Sequence, residues 1–257
     1  MSNRPSKRPM ASQRVKEAQR SAEHSRTWLI FVAVGVVVAV VLIVAVATRG
    51  SDDGGDVASP SGGTVVPKGD AAFGEVTVSG TPLVQLPSEG AGNPRADPAV
   101  GTQAPSVSGA TFDGSPVSIS ADGRPKVIMF LAHWCPHCQA EVPRVQAWLD
   151  ANGMPDDVGL VAVATGTSAD RPNYPPGRWL RKEDWTVPTI VDDEAGVAGQ
   201  AYGLSGFPFF VVVDANGKVV VRASGEQSEQ AWTQLLDAAR SGTLSGTLTG
   251  GPASGAG

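Results

Sequence analysis

The 257-residue chain is poor in the residues that staple or metallate small proteins, with two cysteines and three histidines. Two cysteines exclude a disulfide scaffold and an all-cysteine zinc ribbon. Aromatic residues are scarce at 6% and charged residues at 18%, while 31 glycines and 20 prolines are present. That balance fits a modest globular core diluted by sequence with little packing content. Net positive charge is also lacking, the formal total being −5. The total conceals a split: residues 1–27 carry +5 and everything after residue 47 carries −10. An acidic body lacks the cationic surface from which nucleic-acid binders draw their affinity, so no nucleic-acid partner is expected.

Residues 28–47, Trp28 to Ala47, form a 20-residue uncharged run. As a helix rising 1.5 Å per residue, such a run spans a hydrocarbon layer of about 30 Å. The basic segment 1–27 precedes it, so the positive-inside rule puts the N-terminus in the cytoplasm and the body outside. Ala45-Val46-Ala47 offers a small-residue cleavage site, but signal-peptide apolar regions are usually about 7–15 residues, so a retained transmembrane anchor is the preferred reading over a cleaved, secreted form. Residues 48–96 read as a Gly/Ser/Pro-rich linker, with edge strands over 75–79 and 83–86 and folding from about residue 71. Residues 241–257 read as a disordered tail.

Residues 97–240 alternate strand and helix. Apolar runs at 126–132, 158–165, 187–191 and 209–213 suit buried strands, and 218–222 pairs with 209–213 around Asp214-Ala-Asn-Gly217, a hairpin signal. Helices are expected over 136–152, 193–202 and from the N-cap Ser228 onward. The order implies an α/β fold with a mixed central β-sheet flanked by helices.

Both cysteines lie in Trp134-Cys135-Pro136-His137-Cys138, between a buried strand and a helix. Free amides at a helix start favour a thiolate at Cys135, and Pro136 fits the first turn without losing a hydrogen bond. Cys138, one turn on, can close a small disulfide ring, so that Cys135 attacks a substrate disulfide and Cys138 resolves the mixed disulfide. A static disulfide here would restrain few residues, and a zinc site would need two further ligands beyond this pair. His137 stands beside Cys135, where its donors can stabilise a thiolate and make the disulfide more oxidising. Glu141 follows Cys138 by one turn, as a proton relay or as a solvated helix charge.

The chain resembles the thioredoxin superfamily, and within it the membrane-anchored, extracytoplasmic TlpA-like disulfide reductases of bacteria. Three segments carry the resemblance: Gly101-Thr-Gln-Ala-Pro105, Phe130 through Pro143 around the cysteine pair, and Ala201 through Gly217. The resemblance implies a thioredoxin-like fold over 97–240 and a redox-active disulfide between Cys135 and Cys138, with no dissociable cofactor. It implies a proton-transfer role for Glu141 and substrate contact by Phe207 with a cis Pro208, while Trp134 either shields the site and contacts substrate or simply packs. Val187-Pro188-Thr189 imitates the proline motif but lacks the hairpin behind it, so it is read as a strand start. Met129 replaces the buried Asp of ordinary thioredoxins, and His133 replaces a small polar residue, at a position read as exposed. Cys-Pro-His-Cys itself resembles DsbA-type oxidases, so reductase and oxidase readings both stand. A metal or assembly chaperone on the same fold is the non-enzymatic alternative. The partners implied are extracytoplasmic protein thiols and disulfides, plus a redox partner that recycles the pair. Residues 171–185, rich in Pro, Arg and aromatics, fit either a docking surface or a satellite packing cluster.

Overall fold

The computed structural model describes residues 70–249. The basic segment 1–27, the expected membrane helix 28–47 and most of the expected tether lie outside the described residues. Among those described, no helix is long and apolar enough to cross a membrane.

The central sheet has five strands: β4 (Lys126–Leu131), β5 (Gly159–Ala164), β6 (Thr189–Val191), β7 (Phe209–Val213) and β8 (Val219–Ser224), in the order β6-β5-β4-β7-β8. β4 runs parallel to β5 and antiparallel to β7, so the sheet is mixed. All six residues of β4 are buried, as a strand covered on both faces requires. The pleat sorts them: Val127, Met129 and Leu131 enter one core, Ile128 and Phe130 the other. Each such side chain contributes about 1.5–3 kcal/mol on burial.

On the first face lie α1 (Pro136–Asn152), α2 (Pro176–Lys182) and α4 (Glu229–Ser241), through Val142, Val145, Leu149, Trp179, Trp232 and Leu235. On the second lie α3 (Val197–Ala201) and a small antiparallel sheet of β1 (Thr77–Ser79), β2 (Ser106–Ala110) and β3 (Pro116–Ile119). The helix expected over 193–202 begins later because Asp192 and Asp193 accept the first amides: Val197 N–H donates to Asp193 Oδ1 at 2.9 Å and Ala198 N–H to Asp192 Oδ1 at 3.1 Å.

Two further expectations are corrected, and one open alternative is decided. Residues 83–86 form no strand; Leu83 and Leu86 instead bury into the second core, with Leu83 N–H bonded to the Ala201 carbonyl at 2.8 Å. The packed body thus takes in sequence read as linker. The fully buried Arg222 secures it, bonding Asp97 through Nε (2.8 Å) and Nη2 (2.6 Å) and the Val84 carbonyl through Nη1 (2.8 Å). The start of the tail is ordered: Leu244 and Leu248 pack on the first core, and Leu248 N–H donates to the Gly92 carbonyl at 2.8 Å. The 171–185 segment contains α2, whose Trp179 and Leu180 are buried, so it packs as a satellite cluster.

Candidate active site

The register of β4 against β7 builds the site. Phe130 pairs with Phe209, so the C-terminal end of β4 and the Phe207–Pro208 segment entering β7 emerge side by side. The chain leaving β4 turns through His133 and Trp134, and Cys135 becomes the N-cap of α1 with Pro136 in the first turn. Both cysteines are free thiols, Cys135 6% exposed and Cys138 fully buried. The Cys135 thiol points at the Phe207 carbonyl oxygen, 3.6 Å away. The Phe207–Pro208 bond is cis, whereas Pro188 immediately precedes β6. Trp134 packs edge-on against Phe207, its Nε1 donating to the Gly166 carbonyl at 2.7 Å.

Cys138 lies on the inward stripe of α1 with Glu141, Val142, Val145 and Leu149. Burial pushes its thiol pKa well up, with Cys135 and Glu141 adding to the effect, while the Ala132 N–H at 3.5 Å opposes it. Such a thiol needs a base before it attacks. Glu141 is that kind of group. It is fully buried, and burial raises its pKa to about 7 against the opposing pull of the Gln227 N–H and Arg144. Its Oε2 accepts from Arg144 Nη1 at 2.8 Å and from Gln227 N–H at 3.1 Å. Its Oε1 has no hydrogen-bond partner among the described residues. A cavity of ≈ 320 Å³ between α1 and α4 is lined by Glu141, Arg144, Trp148, Gln227 and Trp232.

His137 projects outward, 65% exposed, with Nδ1 2.8 Å from Glu226 Oε1. His133 is corrected from exposed to buried. Its Nε2 accepts from the Ser168 N–H at 3.2 Å, which assigns the proton to Nδ1, 2.6 Å from the Pro172 carbonyl. Its own carbonyl accepts from Gln139 Nε2 and Asn173 Nδ2. With Arg171 stacked 5.1 Å from the Trp134 ring, residues 166–173 form a wall beside Cys135. Sequence reasoning missed this wall and missed Glu226, Arg144 and Gln227. Their partners in the site lie 32 or more residues away, except that Arg144 sits one turn beyond Glu141.

A mixed sheet with two thiols at the helix start after its central strand defines a thioredoxin-like dithiol protein. A family model described as Redoxin matches residues 99–237, and the chain belongs to that family. Methylamine utilization protein MauD of Methylobacillus flagellatus is 28% identical over 131 residues, covering 50% of this chain and 58% of that protein. Thiol:disulfide interchange protein DsbE of Haemophilus influenzae is 27% identical over 114 residues, covering 44% of this chain and 58% of that protein. The crystal structure of StoA from Bacillus subtilis aligns with 54% of this chain and 99% of that chain at 24% identity and a TM-score of 0.45. The chain spans little more than half the length of these first two curated relatives.

Proposed function

We propose that the protein is a membrane-anchored, extracytoplasmic thiol–disulfide oxidoreductase acting on protein substrates, with electron flow in the reducing direction. One observation carries the reading: the Cys135 thiol, at a helix start, faces the Phe207 carbonyl while Cys138 waits behind it next to a carboxyl of pKa about 7. A substrate strand lying along Phe207 and Pro208, flanked by Trp134, brings its disulfide to Cys135.

The chemistry closes without a dissociable cofactor. The Cys135 thiolate attacks one substrate sulfur and expels the other as a thiolate. Glu141, ionised, takes the Cys138 proton. The Cys138 sulfur then attacks Cys135 and expels the second substrate thiolate. The two expelled thiolates take up protons, the substrate has gained two electrons, and the pair is left as a disulfide. A redox partner then reduces it. The cavity beside Glu141 returns its proton to solvent.

The names of DsbE and of other relatives support the exchange reading. Anchoring and placement rest on the charge split and the uncharged run at 28–47, and disulfides persist on that side of a membrane. Insulin reduction by the full chain tests the activity: Cys135→Ser is expected to abolish it, and equal turnover without Cys135 overturns the reading. Labelling of Cys135 in intact cells by a membrane-impermeant thiol reagent tests the placement. Labelling that requires cell lysis overturns it.

A further inference from the structure

Glu226 sits in the short loop joining β8 to α4, and the structure builds that loop into the site from several sides. Gly225 N–H donates to the Pro208 carbonyl at 2.8 Å, and Gln227 N–H to Glu141 Oε2 at 3.1 Å. The Gln227 carbonyl accepts from Arg144 Nη1 at 2.9 Å, and Ser228 caps α4. Glu226 itself is divided between two partners, Oε2 on Arg144 Nη2 and Oε1 on His137 Nδ1, both at 2.8 Å. Arg144 first, and His137 second, hold its carboxyl below the usual range, so it is an anion. Glu141, on the far side of Arg144, is the other acid bound to this network.

We propose that Glu226 is a positioning residue that withholds the His137 imidazole from Cys135, so that Cys-Pro-His-Cys operates as a more reducing pair than its own four residues dictate. The inference rests on the exchange reading above. A protonated imidazole two residues from a thiolate stabilises the thiolate, and stabilising the reduced form makes the disulfide more oxidising. Here Nδ1 is bonded to a carboxylate fixed by the loop, so the proton on that nitrogen is committed to Glu226 and not to Cys135. The Cys135 sulfur takes the Phe207 carbonyl as its partner. This relationship accounts for a dipeptide of oxidase type in a chain otherwise of reductase type.

The test is the equilibrium of the full chain with glutathione, in which the protein disulfide and two glutathione molecules give the protein dithiol and one glutathione disulfide. Wild type, Glu226→Gln, His137→Ser and the double variant form a cycle. Glu226→Gln is expected to raise the equilibrium constant toward the dithiol at least about threefold, the scale of one charge interaction near water. In the His137→Ser background the same change is expected to shift it less than about twofold, since the shift requires the imidazole. No shift, a shift toward the disulfide, or an equal shift in both backgrounds overturns the proposal. Should Glu226→Gln not fold, Glu226→Asp keeps the charge but withdraws it from His137 by one methylene. It must shift the constant in the same direction, and constancy there also overturns the proposal. A wild-type pair that never equilibrates with glutathione defeats the exchange reading instead, and takes this inference with it.

Discussion

The Cys135 sulfur and the Phe207 carbonyl oxygen lie 3.6 Å apart although 72 residues separate them in the chain. Their meeting follows from strand register, because antiparallel pairing of Phe130 with Phe209 brings the end of β4 and the approach to β7 to one edge of the fold. In the proposed exchange the nucleophile thus faces the backbone along which a substrate strand would lie, with the fully buried Cys138 as the resolving thiol.

In the proposed exchange the proton from Cys138 goes to Glu141, whose carboxyl burial raises to a pKa of about 7. Resolution of the mixed disulfide is therefore expected to accelerate as pH rises through about 7 and then to level. Glu141→Gln is expected to slow that step about 100-fold and to remove the inflection, as loss of a general base does. Stopped-flow measurement of single-turnover release from pH 5 to 9 checks it, and an inflection that survives the substitution counts against the role.

The same group makes stability pH-dependent. The folded pKa of Glu141 is raised to about 7 from its ordinary 4.5, so between those values the folded state binds more protons than the unfolded state. Stability from this group is greatest below pH 4.5, falls as pH rises through the window, and is lowest above pH 7, a swing of about 3 kcal/mol at most. Glu141→Gln removes the swing. Urea unfolding is expected to show the variant gaining on wild type by about 1–3 kcal/mol between pH 4 and pH 8; a pH-independent difference contradicts the burial argument.

Arg222 and Asp97 are fully buried and bonded through two contacts. Removing one partner strands the other charge, so Asp97→Ala is expected to cost about 3–5 kcal/mol in urea unfolding. Because Arg222 also holds the Val84 carbonyl, hydrogen exchange in residues 83–86 is expected to rise with it. A loss below about 1 kcal/mol would show that the pair contributes little.

His133 fastens the wall beside Cys135. His133→Ala removes the acceptor of the Ser168 N–H and the donor to the Pro172 carbonyl. A cost of about 1–3 kcal/mol is expected, with faster amide exchange at Ser168. Burial also holds the His133 pKa below its ordinary 6.5. The unfolded state therefore takes up the proton more readily, and this group lowers stability as pH falls below about 6.5. Unchanged exchange at Ser168 in the variant contradicts the fastening role.

Local periodicity made much of the fold legible. The apolar runs at 126–131 and 209–213 are the two innermost strand partners, and the 136–152 helix starts and stops where Pro136 and Gly153 place it. Glu141 was legible only in part: its place one turn after Cys138 left it open between a proton relay and a solvated charge, and the inward stripe it shares with Cys138, Val142, Val145 and Leu149 decides for burial. Long-range pairings were not legible. Arg222 gains its partner only when Asp97 arrives from 125 residues away. Leu244 and Leu248 are too sparse among Gly, Ser and Thr to signal packing. Glu226 precedes a helix cap and has no periodic neighbour, and its two partners become visible only when the loop folds over α1.

In the proposed exchange Cys135 attacks and Cys138 resolves. Intact-mass analysis of the full-length Cys138→Ser variant, incubated with insulin, tests it most directly. A stable mixed disulfide carrying insulin on Cys135 is expected, absent from wild type and from Cys135→Ser. A Cys138→Ser protein that accumulates no adduct, while wild type still reduces insulin, would contradict it.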